Sequence, residues 1–385
     1  MNTAGQDTED KMKAGYPDYD NSIVNMINSV LKHFGANYTH STLPVMDALL
    51  EKTFRNVVIM VFDAMGSRNL MESLPEDSFL RQHMLAEITS VFPPTTTAAT
   101  TTLESGLLPC EHAWLGWSLH FDEVQDNVNI YINTNDFGTY VADYHVATRY
   151  IPYKNVTEKI NETGNARAES VSRFGTRKVK AFDELLEGVE DLCGEAGRHY
   201  IYTYWPEPDM SMHAKGVMSP EAIHWMNKID MAASLLSKRL DDTLLIITAD
   251  HGHIDGTNVC ITDYEELVKT LRWLPSIEPR ALAFYVKDGM NEAFEKEFKK
   301  NFREDFILFS RKDILKNKLF GDGNAHPRFE DFIGDYVAAA VGTRSVFNTK
   351  ASCEKFIGVH AGLTEREMMV PFIAVECGQR TANPM

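Results

Sequence analysis

Six side chains of the types that bind metal ions lie just beyond short apolar segments of the chain. They are three aspartates and three histidines: Asp63, Asp209, His213, Asp250, His251 and His360. Short apolar runs bounded by polar residues are typical of buried strands in a parallel sheet. Ligands of open α/β sheets bind beyond the carboxyl ends of such strands, so we expect these side chains at one sheet edge. Mixed carboxylate and imidazole donors suit zinc, and six of them predict a site for two ions.

The local sequence around these side chains supports the metal site to different degrees. Asp250 and His251 follow an apolar run, and Gly252 permits the sharp turn that would bring both side chains to one ion. Asp209 and His213 are four residues apart, so one helical turn would point both the same way. Each pattern also has an ordinary explanation, because aspartates cap helices and such pairs are common on solvated faces. The metal prediction therefore depends on the full set.

A threonine-rich segment contains the candidate nucleophile. Pro93 and Pro94 precede it and predict that a helix starts near Thr95 or Thr96. A threonine hydroxyl is unreactive at neutral pH unless a metal or a base assists it. The N-terminus of a helix also favours an incoming phosphate oxygen. We take Thr96 as the candidate, although residue chemistry alone does not separate it from Thr95 and Thr97.

The remaining sequence predicts one large domain that positions these side chains. Residues 1–21 are expected to form a flexible tail, and residues 22–385 the folded catalytic domain. Residues 118–175 are rich in tyrosine and asparagine without a long helical period, and we interpret them as a lid-like insertion. Residues 262–350 carry alternating strand and helix patterns, which indicates a second, α/β insertion. The groups that recognise a substrate are therefore expected in these two insertions.

The amino-acid composition limits the kinds of partner that the protein could bind. The 385 residues contain 38 basic and 55 acidic side chains, and the formal charge of -17 argues against long nucleic acids. A small phosphorylated substrate is compatible with this charge, because divalent ions invert the sign of the local field. The five cysteines form no CxxC pair, as is typical of a reducing compartment.

No apolar run approaches the ~18 residues of a membrane span. The first ten residues also lack the pattern of a signal peptide. Taken with the isolated cysteines, these features lead us to expect a cytoplasmic location.

The order of the six ligands and the threonine resembles that of the alkaline phosphatase superfamily. The most similar branch is the type I phosphodiesterase and nucleotide pyrophosphatase family, and the resemblance spans residues 56–372. Residues 91–112 are similar to the nucleophile block of that family, in which the nucleophile lies ten residues before a glycine. Gly106 occupies that glycine position and selects Thr96. The implied fold is an α/β, alkaline-phosphatase-like three-layer sandwich, in which a mostly parallel central sheet has helices on both faces.

The resemblance also implies the roles of the site residues. One ion would be held by Asp209, His213 and His360. The other would be held by Asp63, Asp250 and His251. The ions would be zinc, with manganese as the alternative. The Thr96 oxygen, close to the second ion, would attack phosphorus, and water would then hydrolyse the phospho-threonine intermediate.

The chain departs from the family pattern where the phosphate would be held. Trp117 stands where nucleotide pyrophosphatases carry an asparagine that contacts the phosphate, and no phosphate-gripping arginine can be located. The sequence after Thr96 does not fit the sulfatase motif of a Cys or Ser followed by Pro and Arg. We predict Trp117 and Lys215 as substrate contacts, and neighbouring aromatic residues make a nucleotide-like substrate plausible.

The charge of the predicted site favours diesters over monoesters. Two zinc ions bring four positive charges, and three aspartates with a threonine alkoxide bring four negative ones. A diester or phosphoanhydride adds one negative charge to this neutral site, whereas a monoester dianion adds two. The predicted function is therefore a hydrolase of phosphodiester or phosphoanhydride bonds. The alternatives are a phosphonate hydrolase, a phosphomonoesterase or a phosphosugar mutase of the same superfamily, or a non-catalytic metal-dependent binding protein.

Overall fold

The structure is a computed structural model that describes residues 12–378. The strands are β1 (Asn56–Phe62), β2 (Met84–Thr89), β3 (Ser118–Phe121), β4 (Asp126–Asn129), β5 (Arg167–Ser172), β6 (Arg177–Lys178), β7 (His199–Trp205), β8 (Thr243–Thr248), β9 (Ile254–Asp255), β10 (Thr257–Cys260), β11 (Leu271–Glu278), β12 (Ala281–Val286), β13 (Phe306–Ser310), β14 (Tyr336–Ala340), β15 (Arg344–Phe347), β16 (Gly358–Val359) and β17 (Met369–Cys377). They form two main sheets and two smaller ones, in which β10 pairs with β15 and β16 with β9.

The helices lie between these strands, mostly as connections. They are α1 (Ile23–His33), α2 (Pro44–Leu50), α3 (Ser67–Ser73), α4 (Phe79–Gln82), α5 (Thr96–Ser105), α6 (Pro109–His112), α7 (Val146–Tyr150), α8 (Val156–Thr163), α9 (Phe182–Gly194), α10 (Asp209–Lys215), α11 (Pro220–Ser237), α12 (Glu265–Val268), α13 (Asn291–Phe302), α14 (Arg311–Asn317), α15 (Phe329–Phe332), α16 (Lys350–Lys355) and α17 (Glu365–Met368). None of the helices within residues 12–378 is long and apolar enough to cross a membrane.

The central sheet has seven strands in the order β2-β17-β8-β1-β7-β5-β6. Its middle strands β8, β1 and β7 are parallel and in register, so that Asn56 pairs with both Thr243 and His199. All three strands are almost entirely buried and rich in Val, Ile, Leu and Tyr, which is expected of parallel strands covered on both faces. Their carboxyl ends therefore lie side by side. The predicted mostly parallel α/β fold is confirmed, with β17 as an antiparallel strand that the sequence analysis did not identify.

A second sheet has six antiparallel strands in the order β13-β14-β12-β11-β3-β4. Phenylalanines of α13 and β12, such as Phe284 and Phe294, form a separate core on this sheet. Both segments predicted as insertions contribute strands to it, and they meet where Ser118 of β3 pairs with Ile277 of β11. The first segment also supplies β5 to the central sheet, where it pairs with β7. The division into a lid and a second insertion stays a prediction, and residues 1–11 of the predicted tail lie outside the described residues.

The chain before His360 differs from the sequence-based expectation. The apolar residues 356–359 were expected to form a strand of the parallel sheet, but only β16 is extended, and it pairs antiparallel with β9. Gly358 packs so closely on α10 that a Cβ there would lie 2.5 Å from the Met212 carbonyl oxygen. His360 is therefore positioned by a loop that folds over the sheet edge, not by a strand of the central sheet.

Candidate active site

The carboxyl ends of the three central parallel strands deliver most of the predicted ligands. Asp63 follows β1 directly, and Asp250 and His251 follow β8 after one residue. The chain after β7 turns into α10, whose first residue is Asp209 and whose fifth is His213. Because Asp209 and His213 are one helical turn apart, both side chains reach the same side of α10. The structure thus brings all six predicted ligands to one end of the sheet.

Three of these side chains, together with one that the sequence analysis missed, could hold a first ion. Asp209 Oδ1 lies 3.1 Å from His253 Nε2, 3.4 Å from His213 Nε2 and 3.9 Å from His360 Nε2. Donor atoms of all four residues lie within 4.8 Å of one another, which is close enough for a single ion to contact them. The set includes the three ligands that the family resemblance implies and adds His253.

A second group of donors adjoins the first and shares Asp209 with it. Asp63, Asp209 and His251 offer atoms within 4.8 Å of one another. His251 Nε2 lies 3.3 Å from Asp63 Oδ1 and 3.7 Å from Asp250 Oδ2. Asp250 Oδ1 accepts hydrogen bonds from the main-chain N–H groups of Ala64 and His251. Asp250 is therefore held with its other oxygen towards His251, but it is not one of the three residues whose donor atoms lie within 4.8 Å of one another.

Buried carboxylate oxygens that accept no hydrogen bond indicate that these side chains could bind cations. Within the described residues, Asp63 Oδ1, Asp209 Oδ1 and Asp250 Oδ2 are buried and accept no hydrogen bond. Burial raises the pKa of Asp63 and raises that of Asp250 well above its ordinary value, and the nearby carboxylates add to both shifts. Buried carboxylate oxygens that accept no hydrogen bond are costly, and divalent cations would reduce that cost. Oxygen and imidazole donors in this mixture suit zinc or a similar divalent ion.

The histidines are held in forms that suit metal binding to different degrees. Burial lowers the pKa of His253 to about 4 and that of His360 well below its ordinary value. Both are therefore neutral imidazoles, the form that binds a metal. His251 differs: burial opposes its charged form, but Asp250 and Asp63 raise its pKa to about 10. The imidazolium of His251 balances those carboxylates, and a bound cation would compete with its proton.

Thr96 is the threonine that faces the carboxylates. It is the first residue of α5, and its Oγ1 lies 3.3 Å from His251 Nε2 and 3.5 Å from Asp63 Oδ2. Thr95 points elsewhere and donates a hydrogen bond to a Glu278 oxygen at 2.7 Å. Thr97 is fully buried within the helix. The geometry therefore separates three neighbouring threonines that residue chemistry alone could not distinguish.

Two residues outside the predicted set support the site. Tyr204, near the end of β7, donates its phenolic proton to Asp63 Oδ2. Asn69 of α3 exchanges hydrogen bonds with the His253 main chain, which fixes the turn after β8. A Cβ at Gly252 would lie 2.0 Å from the Arg366 carbonyl oxygen, so this turn also requires glycine at that position.

A cavity of about 570 Å³ opens beside the two groups of donors. Thr96, Asp209, His213 and His360 line part of it, and polar and apolar residues of the second sheet and of neighbouring segments line the remainder. Trp117 lies on the cavity wall and is 43% exposed, and its role as a substrate contact stays a prediction. Lys215 is exposed at the end of α10 and does not line the cavity, so its role as a substrate contact stays a prediction.

The side chains that the sequence analysis missed had weak local signals. His253 lies two residues after His251, and the segment Asp-His-Gly-His could have indicated a further imidazole at the same turn. Glu278 gave no signal, because the strand that carries it is 182 residues from Thr96 in the sequence and reaches the site only through the second sheet. Tyr204 is one of several aromatic residues close to the ligands in the sequence, but its contact with Asp63 depends on the pairing of β1 and β7.

The sequence matches a known family over most of its length. The model of the family described as type I phosphodiesterase / nucleotide pyrophosphatase matches residues 57–362, which include all six predicted ligands and Thr96. A sequence comparison with curated proteins found no match.

Solved structures with the same fold include two kinds of enzyme. Murine ectonucleotide pyrophosphatase/phosphodiesterase 5 aligns over 83% of this chain and 87% of its own, with a TM-score of 0.63 and 16% identity. An inactive form of that protein in complex with AMP aligns over 84% and 88%, with a TM-score of 0.62 and 17% identity. Phosphonoacetate hydrolase from Sinorhizobium meliloti, in complex with phosphonoformate, aligns over 84% and 90%, with a TM-score of 0.58 and 15% identity. Identities this low establish similarity of fold alone.

Proposed function

The chain belongs to the type I phosphodiesterase / nucleotide pyrophosphatase family, and we propose that it is a two-metal hydrolase of phosphodiester or phosphoanhydride bonds that acts through a phospho-threonine at Thr96. The observation that carries this proposal is the position of Thr96 at the start of α5. Its hydroxyl lies within 3.5 Å of two side chains of the second group of donors, while the hydroxyl of Thr95 is hydrogen-bonded elsewhere.

The proposed reaction has two displacements. Thr96 Oγ1 attacks phosphorus, the bond from phosphorus to the leaving oxygen breaks, and a phosphate ester forms on Thr96. Water then attacks this ester, releases the Thr96 hydroxyl and leaves the phosphorylated product. Main-chain N–H groups at the start of α5 favour the phosphoryl oxygens during both steps. Divalent ions, when bound, supply the positive charge that lowers the pKa of the hydroxyl and of water and neutralises the leaving oxygen.

Other residues would bind the ions, orient Asp63 and exclude water. Asp209, His213, His253 and His360 would hold one ion, and Asp63, Asp250 and His251 the other. Tyr204 would keep Asp63 oriented by donating to its second oxygen. The apolar wall of the cavity would exclude water from the region next to Thr96.

The substrate is proposed to be small and phosphorylated. The related murine protein was solved with AMP, which supports a nucleotide-like substrate, and the exposed ring of Trp117 offers a surface for stacking. A phosphonate hydrolase is the second candidate function, because the enzyme solved with phosphonoformate shares this fold. The cytoplasmic location and the identity of the ions as zinc or manganese are likewise proposals.

One panel of substrates tests the reaction class. Nitrophenyl monoester, diester and phosphonate substrates would be compared with zinc and with manganese, before and after chelation. We expect the highest kcat/KM with a diester, loss of turnover on chelation, and recovery on adding metal. Turnover that survives complete removal of metal would contradict the two-metal proposal, and a preference for the phosphonate would favour the second candidate.

A second experiment tests the nucleophile. Thr96→Ala should lower kcat/KM by a factor on the order of 10³ or more while metal content stays unchanged. Thr97→Ala is the matched control, because it removes the neighbouring hydroxyl from the same helix and should retain much of the activity. Mass spectrometry of acid-quenched enzyme should locate the phosphate on Thr96, and a label on any other residue would refute the assignment.

A further inference from the structure

The cavity beside Thr96 contains a carboxyl group that the proposed reaction does not use. Glu278 is the last residue of β11 and lines the cavity. Its Oε1 accepts hydrogen bonds from Thr95 Oγ1 and from the Trp117 main-chain N–H, both at 2.7 Å. Among the described residues no donor contacts Oε2, which leaves that oxygen for a bound molecule. Because Thr95 precedes the nucleophile directly, Glu278 is anchored one residue from the reacting hydroxyl.

The residue before Glu278 has a strained main-chain conformation, which directs Glu278 into the cavity. Ile277 has a φ of 76°, a value that β-branched residues rarely adopt, and it also lines the cavity. Gly116 packs against it so closely that a Cβ at Gly116 would lie 2.7 Å from the Ile277 carbonyl oxygen. Strained residues are retained where the surrounding structure requires them, and they concentrate at functional sites. The kink at Ile277 aims the end of β11 at the N-terminus of α5.

The other charged groups of the cavity make it unfavourable for anions. Beyond the metal-binding side chains, its described lining contains two carboxyl groups, Glu278 and Asp136, and one cation, Lys355. Asp136 accepts a hydrogen bond from Asn348 Nδ2 at 2.7 Å. Lys355 is exposed, and its ammonium lies 4.9 Å from the centroid of the Phe356 ring. No arginine occurs in this described lining, so a carboxylate or second phosphate on the substrate would meet carboxyl groups with little compensation.

We propose that Glu278 determines substrate specificity by favouring phosphodiesters whose second ester group carries an ammonium over those whose group is neutral or anionic. This inference rests on the proposed function and narrows it to a class of substrate. Trp117, whose main chain is bound to Glu278, adds an exposed aromatic face that attracts cations. The proposed preference for an ammonium group also distinguishes this chain from an enzyme that binds the carboxylate of a small phosphonate.

The ionisation of Glu278 is consistent with this role. Burial raises its pKa to about 7, so the carboxyl is readily protonated near neutral pH. A cation bound beside it would favour the carboxylate and lower that pKa again. Ionisation and cation binding therefore support each other, whereas an anionic group would favour neither.

Three matched substrates test the proposal. Each is a nitrophenyl phosphodiester, and they differ only in the second ester group, which is choline, its neutral isostere 3,3-dimethylbutanol, or an anionic carboxypropyl alcohol. We expect the metal-loaded enzyme to prefer the choline ester over the neutral one by about tenfold in kcat/KM, and to use the anionic ester least. The readout is the ratio of rates within one protein, so a general loss of activity cancels.

Two variants identify the residue responsible. Glu278→Gln keeps an oxygen that can accept both hydrogen bonds but removes the charge, and we expect the choline preference to fall to less than about threefold. Asp136→Asn is the control, because this carboxyl lines the same cavity but is hydrogen-bonded to Asn348 and not to Thr95 or Trp117, and it should retain most of the preference. A ratio lost in Asp136→Asn but retained in Glu278→Gln would overturn the proposal.

The outcomes separate this inference from the proposed function. If none of the three diesters is hydrolysed with metal present, the proposed function fails. If all are hydrolysed at similar rates, or the anionic ester is preferred, the function stands and the role of Glu278 is refuted. Inhibition of the unaltered enzyme by choline phosphate and by 3,3-dimethylbutyl phosphate gives the same comparison without a variant, and equal inhibition constants would also refute it.

Discussion

A fully buried ion pair beneath the site offers the sharpest test of how the structure holds its metal-binding loops. Arg280 and Glu367 are both 0% exposed, and the guanidinium donates to the two carboxylate oxygens at 2.7 and 2.8 Å. Arg280 also donates to the main-chain oxygens of Arg344 and Gly342, both at 2.9 Å. Arg280→Met would keep the volume of the side chain but leave these acceptors without their donors and the carboxylate of Glu367 without its counter-charge. Breaking a buried pair in this way costs about 3–5 kcal/mol, a large share of the ~5–15 kcal/mol that stabilises a typical protein.

The same pair is connected to both metal-binding turns. Glu367 Oε1 accepts from the Gly362 N–H at 2.7 Å, two residues after His360. The Glu367 carbonyl oxygen accepts from the Gly252 N–H at 2.8 Å, next to His251. We therefore expect Arg280→Met to weaken metal retention as well as stability.

Urea denaturation followed by fluorescence and by circular dichroism measures the stability change. Arg272→Met is the matched control, because its guanidinium binds Asp335 at 2.9 Å with 45% of the arginine side chain exposed. Removing such a surface pair costs about 0.2–1 kcal/mol. Coincident transitions for the two probes would justify comparing free energies. A loss of less than about 1 kcal/mol in Arg280→Met, or equal losses in the two variants, would refute the assignment of Arg280–Glu367 as a structural support of the site.

Three further predictions concern the metal-binding turn and the helix behind it. His253→Gln should lower metal affinity about 10- to 100-fold in a chelator competition, whereas the exposed His224→Gln should not; equal affinities would remove His253 from the site. Gly252→Ala should lower both stability and metal content, because its Cβ would lie 2.0 Å from the Arg366 carbonyl oxygen, and an unchanged melting temperature would contradict this. Burial lowers the pKa of His112 to about 3, so below about pH 6.5 the unfolded chain binds a proton that the folded protein does not. Stability should therefore fall by about 1.4 kcal/mol per pH unit from this cause as the pH is lowered, and urea titrations of His112→Gln should show a shallower decline.

The sequence by itself was sufficient to predict the three central strands, the start of α5 and most of the donors. Apolar runs identified β1, β7 and β8, and the parallel arrangement explains why Asp63, Asp209 and Asp250 meet at one edge. The start of α5 at Thr96 followed from the prolines before it. These predictions succeed because hydrophobic periodicity, proline and strand ends are properties of a short stretch of chain.

Other features depended on contacts between distant parts of the chain. The loop that carries His360 runs over the sheet edge because β16 pairs with β9, and no local pattern specifies that pairing. Apart from the family resemblance, Thr96 is distinguished from Thr95 by which hydroxyl turns towards His251 and which towards Glu278.

The sequence thus determined the chemical groups and the strands that carry them. The tertiary structure decided which of those groups share a site, because side chains as far apart in the sequence as Asp63 and His251 become neighbours only when the sheets assemble. His253 and Glu278 were identified as site residues only from the tertiary structure. One is recognised as a donor because it lies 3.1 Å from Asp209, and the other as a cavity residue because β11 is kinked at Ile277.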